Sequence, residues 1–96
     1  MQIWDIIIKA PMGDIPSTLH IKTDTQPATG EMTGKGGAGP MKDLKTDETT
    51  LSWSTKIDRP MPMKLSFLGE ITGADITGTV KFGLFASGSF SGTLRS

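Results

Sequence analysis

The residues of this chain that could do chemistry are few: one histidine, His20, the adjacent pair Asp58–Arg59, and a set of methionines, Met12, Met61 and Met63. An imidazole titrates near neutral pH and can serve as a base or a metal ligand. Here Leu19 and Ile21 flank it, so strand alternation sets His20 outward with Thr18 and Lys22, where a lone histidine is normally just solvated. The chain has no cysteine, which removes disulfides, thiolate nucleophiles and thiolate metal sites. A transition-metal site would then rest on carboxylates and thioethers, and the sulfurs of Met12, Met61 and Met63 would suit copper(I). That donor set is thin, and no metal or other cofactor is expected. The serines lie in no nucleophile-elbow motif. The glycine run at 36–39 ends in Pro40 and lacks the Gly-Lys-Ser/Thr ending that cradles phosphate. Catalysis is therefore not expected.

The elements that must position these residues are strands. Between Met63 and Phe82, one parity carries Met63, Leu65, Phe67, Gly69 and Ile71, then Ile76, Gly78, Val80 and Phe82. Lys64, Ser66 and Glu70, then Thr77, Thr79 and Lys81, take the other, with Leu68 as the misfit. A period of two means one buried and one wetted face, and the β-branched residues and glycines disfavour a helix. A tight turn at Thr72–Asp75 joins the two arms. The same reasoning predicts strands at Gln2–Lys9, Ser17–Asp24, Glu31–Lys35, Met41–Thr46, Thr49–Ile57 and Gly88–Leu94, with the segments Pro11–Pro16 and Gly36–Pro40 as breaks. The expected core is Trp53, Leu65, Phe67, Val80 and Phe82, joined by Trp4, Ile6, Ile8, Leu19 and Ile21. The phrase apolar–hydroxyl–glycine recurs at Met32–Gly34, Ile71–Gly73, Ile76–Gly78 and Phe90–Gly92. Such glycines either let strands bend or leave room for a ligand.

The fold class is all-β: an antiparallel up-and-down meander of about eight short strands, closing into a small barrel that removes exposed edges, with an open β-sandwich as the alternative. All 96 residues form one domain. Ten acidic residues balance ten basic ones and lie scattered along the sequence, so no nucleic-acid partner is expected. No apolar run reaches spanning length and the start does not read as a signal peptide, so no membrane partner is expected, and the expected location is cytoplasmic.

In such a meander alternate connections share an end. The segments Thr25–Gly30, Asp47–Glu48 and Thr72–Asp75 would occupy one end. Pro11–Pro16, Gly36–Pro40, Asp58–Pro62 and Gly83–Ser87 would occupy the other, with Met41 and Met63 adjoining. Barrel mouths commonly take ligands, and methionine adapts to varied apolar shapes. Met12, Met61, Met63 and Phe85 are therefore the candidate ligand-binding residues, with Arg59 orienting an acidic group by paired hydrogen bonds. The plainer reading is that these methionines plug the mouth. Ile3 and Ile7, on the outward parity of the first strand, are candidates for a homodimer contact.

The residues Gly30-Glu31-Met32-Thr33-Gly34, Leu51-Ser52-Trp53 and Ile76–Val80 resemble the meander of avidin-like and other calycin-type barrels. Trp4, Pro11-Met12-Gly13, Ile76–Gly83 and Phe90–Thr93 resemble a set of short bacterial β-meander proteins of unassigned function. The resemblance implies an eight-stranded up-and-down barrel and the binding of a small, largely apolar ligand. It carries no binding residues. The leading expectation is thus a non-catalytic barrel for an apolar or amphipathic small molecule, acidic ones included. The alternative is a fully packed structural or interaction protein forming a homo-oligomer.

Overall fold

Alternating large apolar and small polar residues build nine strands: β1 Gln2–Ala10, β2 Gly13–Lys22, β3 Thr29–Gly34, β4 Gly37–Pro40, β5 Lys42–Thr46, β6 Thr50–Ile57, β7 Met63–Thr72, β8 Asp75–Phe82 and β9 Ala86–Leu94. The computed structural model describes residues 1–10, 13–24, 28–34, 37–57, 62–84 and 86–95, with backbone alone at positions 37 and 57. One sheet contains all nine strands in the order β4-β3-β2-β1-β9-β8-β7-β6-β5, every ladder antiparallel. The expected all-β meander is present as a nearly closed barrel.

The two ends of that sheet are consecutive in the chain. Following the antiparallel ladders outward from β1 in both directions gives β4 and β5 the same direction, and Met41 alone separates them. They are one strand over 37–46 that changes partner midway. Its first half pairs with β3, and Met41 extends that ladder by donating its N–H to the Gly30 carbonyl at 2.9 Å. Its second half pairs with β6, through a register shift between Lys42 and Lys45 where Asp43 has φ 52°. An aspartate tolerates this left-handed conformation better than most residues. The nine strands therefore occupy eight positions around the barrel. Gly39 completes the seam, because a Cβ there would touch Thr55 Oγ1 of β6 at 3.6 Å. The segment Gly36–Pro40 was expected to break the sheet, and its described part is instead β4: ladder bonds to β3 outweigh the poor strand propensity of Gly and Pro. Pro16, also expected in a break, lies inside β2. It sits where β2 pairs with β1 alone, an edge position that tolerates a missing N–H.

The core comprises Trp4, Ile6, Ile8, Leu19, Ile21, Met41, Leu51, Trp53, Leu65, Phe67, Ile76, Val80, Phe82 and Phe90. The parity read in β1, β2, β6, β7 and β8 is the observed one. Met41 corrects the sequence reading, which put it beside the methionine-rich end. It is buried in the core beside Gly30, whose Cβ, if present, would lie 2.7 Å from the Met41 sulfur.

Strong coiling of the sheet depends on glycine at Gly78 and Gly92. A Cβ at Gly78 would lie 2.1 Å from the Leu68 carbonyl oxygen, and one at Gly92 2.2 Å from that of Asp5. Backbone occupies the space that any side chain would need. The β7–β8 turn uses glycine differently: Gly73 has φ +63° and Ala74 a negative φ, so the two-residue loop has the type II′ form with glycine first.

Candidate functional site

Strand direction sorts the connections as expected. The strands β2, β5 and β7 finish at one end of the barrel, and β1, β3, β6 and β8 at the other. Of the candidate ligand-binding residues, Met12, Arg59, Met61 and Phe85 lie outside the described residues, as does Asp58. Met63 starts β7 at that end, half-buried, and packs against the core.

Register then orders the interior below Met63. Thr55, Leu65 and Phe82 form the next layer, Trp53, Phe67 and Val80 the one below, and Leu51, Gly69, Gly78 and Phe90 the third. Trp53 stacks on Phe67 with ring centroids 4.5 Å apart and planes 7° from parallel. Phe90 meets both rings edge-on, at 5.6 Å from Trp53 and 5.5 Å from Phe67. Gly69 makes room for this cluster, since a Cβ there would be 2.9 Å from both Phe90 Cζ and Ile76 Cδ1.

One polar atom inside this apolar wall stands out. Trp53 is only 3% exposed, and its indole Nε1 has no hydrogen-bond partner among the described residues. Trp4, equally buried, donates its own Nε1 to Gln2 Oε1 at 3.3 Å. A buried N–H without a partner costs roughly 1–3 kcal/mol, and native interiors seldom keep one. Sequence reading had Trp53 only as core, because alternation reports where a ring lies and not what its nitrogen meets.

The outer face carries a second feature, a groove of about 690 Å³ across β2, β1, β9 and β8. One row of outward side chains runs Thr18, Asp5, Thr93, Asp75, and the next Pro16, Ile7, Ser91, Thr77. Asp5 accepts from Arg95 Nε at 2.9 Å and again from the terminal guanidinium nitrogen, and from Thr18 Oγ1 at 3.3 Å. The Arg95 hydrogen bonds hold the Asp5 carboxyl below its ordinary pKa, against the opposing effect of desolvation. Ile7, 43% exposed, lies in this groove, whereas Ile3 is half-buried.

His20 is half-buried on the outward parity of β2, opposite Ile3 and Glu31. Among the described residues no group of three or more histidines, aspartates and glutamates could hold a metal ion, and no helix is long and apolar enough to cross a membrane. No protein-family model matches the chain, and neither a curated protein nor a solved structure matches it.

Proposed function

We propose that this barrel binds a small, largely apolar molecule bearing a hydrogen-bond acceptor, and that the acceptor meets the Trp53 indole N–H. The observation that carries the reading is that buried, unpartnered N–H on a ring held against Phe67 and Phe90. Stacking on Phe67 and edge contact with Phe90 hold the indole in one orientation, so little ordering entropy opposes binding. The ligand enters from the end where Met63 lies, two layers above Trp53; Met12, Met61 and Phe85 stay candidates for ligand contact on the sequence reading alone. Arg59 favours acids over neutral analogues, because a guanidinium pairs with a carboxylate in two parallel hydrogen bonds. The binding is non-catalytic. This reading agrees with the resemblance to avidin-like and calycin-type barrels, which is itself part of the proposal.

The test is a thermal-shift screen of fatty, aromatic and terpenoid acids with their neutral esters. A ligand at about a hundredfold its Kd adds about 2.7 kcal/mol, which raises Tm by roughly 10–20 °C in a domain this small. Trp53→Phe keeps the stacked ring and removes the N–H, so a hit should bind it roughly tenfold more weakly. Failure of every compound, or unchanged affinity in Trp53→Phe, would defeat the proposal.

The packed structural protein is the second reading, favoured by the way Phe90 and Ile76 fill the space beside Gly69. Self-association would then use the outer groove at Ile7. Ile7→Lys should turn a dimer into a monomer in sedimentation without unfolding it, and a parent already monomeric at high concentration would eliminate that contact.

A further inference from the structure

The lysines appear scattered in the sequence, but the barrel gathers five of them on one face. Lys42 and Lys45 on β5, Lys56 on β6, Lys64 on β7 and Lys81 on β8 all point outward and are exposed. Lys56 and Lys64 are direct cross-strand partners. Lys81 faces Ser66 and Lys42 faces Ser54, so each is a diagonal neighbour of that lysine pair, about 7–8 Å away. None of the five forms an ion pair with a described residue. Two acidic residues accompany them: Asp43 on β5 between Lys42 and Lys45, and Glu70 on β7 two residues beyond Leu68.

A like-charged pair directly opposite on a sheet works against folding. Its presence argues that the surface is matched to something outside the chain. Two exposed apolar side chains accompany it. Leu68, 58% exposed, stands on β7 between Ser52 and Thr79, within the lysine face. Leu84 is fully exposed in the β8–β9 turn. That turn is tied to the face, because the Gly83 N–H donates to the Lys64 carbonyl at 2.9 Å.

We infer that this face docks on the surface of an anionic lipid bilayer. Lysines draw a protein to a negatively charged leaflet, and their flexible ammonium groups suit scattered phosphate and carboxylate headgroups. Leucine side chains that enter the headgroup–acyl boundary add the apolar part that electrostatic attraction lacks. A nucleic acid would use the same lysines but would leave Leu68 and Leu84 without a role, and stacking aromatics are the usual companions of single-strand binding. No span is needed, so the absence of a long apolar run does not bear on this mode of contact.

The experiment is cosedimentation of the full chain with vesicles of phosphatidylcholine alone and of phosphatidylcholine mixed with phosphatidylserine. Binding is expected to the mixed vesicles only, and to fall as salt is raised. Lys81→Ala should weaken it about fivefold, the contribution of one lysine at such a surface. Lys64→Glu is the decisive variant. It replaces the repulsive pair by an attractive one, so it should melt no lower than the parent and yet lose vesicle binding. Leu84→Ser should weaken the binding that survives at high salt while leaving the melting temperature unchanged. Equal binding to both kinds of vesicle, unchanged binding by Lys64→Glu, or retention of oligonucleotides without retention of vesicles would each overturn the inference. These outcomes are independent of whether the barrel interior binds a ligand.

Discussion

Gly78→Ala should destabilise the barrel more than its size suggests. The added methyl carbon would sit 2.1 Å from the Leu68 carbonyl oxygen and 2.6 Å from Gly69 Cα on the partner strand. Both are backbone atoms in a ladder that runs on to Leu65 and Phe82, so relief requires the β7–β8 pair to move apart. Overpacking of this kind costs about 1–3 kcal/mol and occasionally more. The entropy lost by the unfolded chain on replacing glycine returns about 0.4–1 kcal/mol. The net expectation is a loss of about 1–2 kcal/mol, a substantial part of the roughly 5–15 kcal/mol available to a domain of this kind. Two other glycines calibrate the result. At Gly69 the Cβ would meet the ends of the Ile76 and Phe90 side chains at 2.9 Å, which can yield slightly, so Gly69→Ala should cost less. At Gly39 the contact with Thr55 Oγ1 is an ordinary 3.6 Å, and Gly39→Ala should be neutral or stabilising. Urea unfolding of the three variants gives the order directly. A Gly78→Ala protein as stable as the parent, or less affected than Gly39→Ala, would refute the coiling argument.

Phe67→Ala removes the ring stacked on Trp53 and should cost about 3–5 kcal/mol, while Lys64→Ala leaves calorimetric stability intact; the reverse result would invert the parity. Asp47 Oδ1 accepts the backbone N–H groups of Thr49 at 2.8 Å and Thr50 at 2.9 Å, and these bonds hold its pKa below the usual 3.8. Because the folded value is the lower, the stabilisation is present above pH 3.8 and disappears as pH falls through the folded pKa. Asp47→Asn should thus flatten the acid limb of a pH–stability curve, and an unchanged limb would assign acid sensitivity elsewhere. Asp5, lowered by Arg95, behaves in the same sense, and Arg95→Ala should move the Asp5 carboxyl resonance to titrate at higher pH by NMR.

Much of the fold was legible because alternation is a local signal. The parity of Leu65, Phe67, Val80 and Phe82 follows from the order of residues alone, and so does the sharing of ends by alternate connections. Strand four was not legible in full. Gly37–Pro40 has the composition of a loop, and only β3 on one side, with β6 across the seam, makes it a strand. Met41 was misplaced for the same reason, since its burial depends on which strand lies opposite. The lysine face depends on register between β5, β6, β7 and β8, and residues 42, 56, 64 and 81 show no pattern in sequence. The partnerless state of Trp53 Nε1 was invisible too, because hydrogen-bond satisfaction is a property of three-dimensional neighbours.

The indole resonance of Trp53 offers the most direct test of the central claim. In a nitrogen–proton correlation spectrum the two tryptophans give two indole signals, which Trp53→Phe assigns. Titration with an acceptor-bearing apolar acid should shift the Trp53 signal downfield and slow its exchange with water, while the Trp4 signal, already bonded to Gln2, stays in place. A Trp53 signal that never moves while other resonances report binding would place the ligand elsewhere and contradict the account.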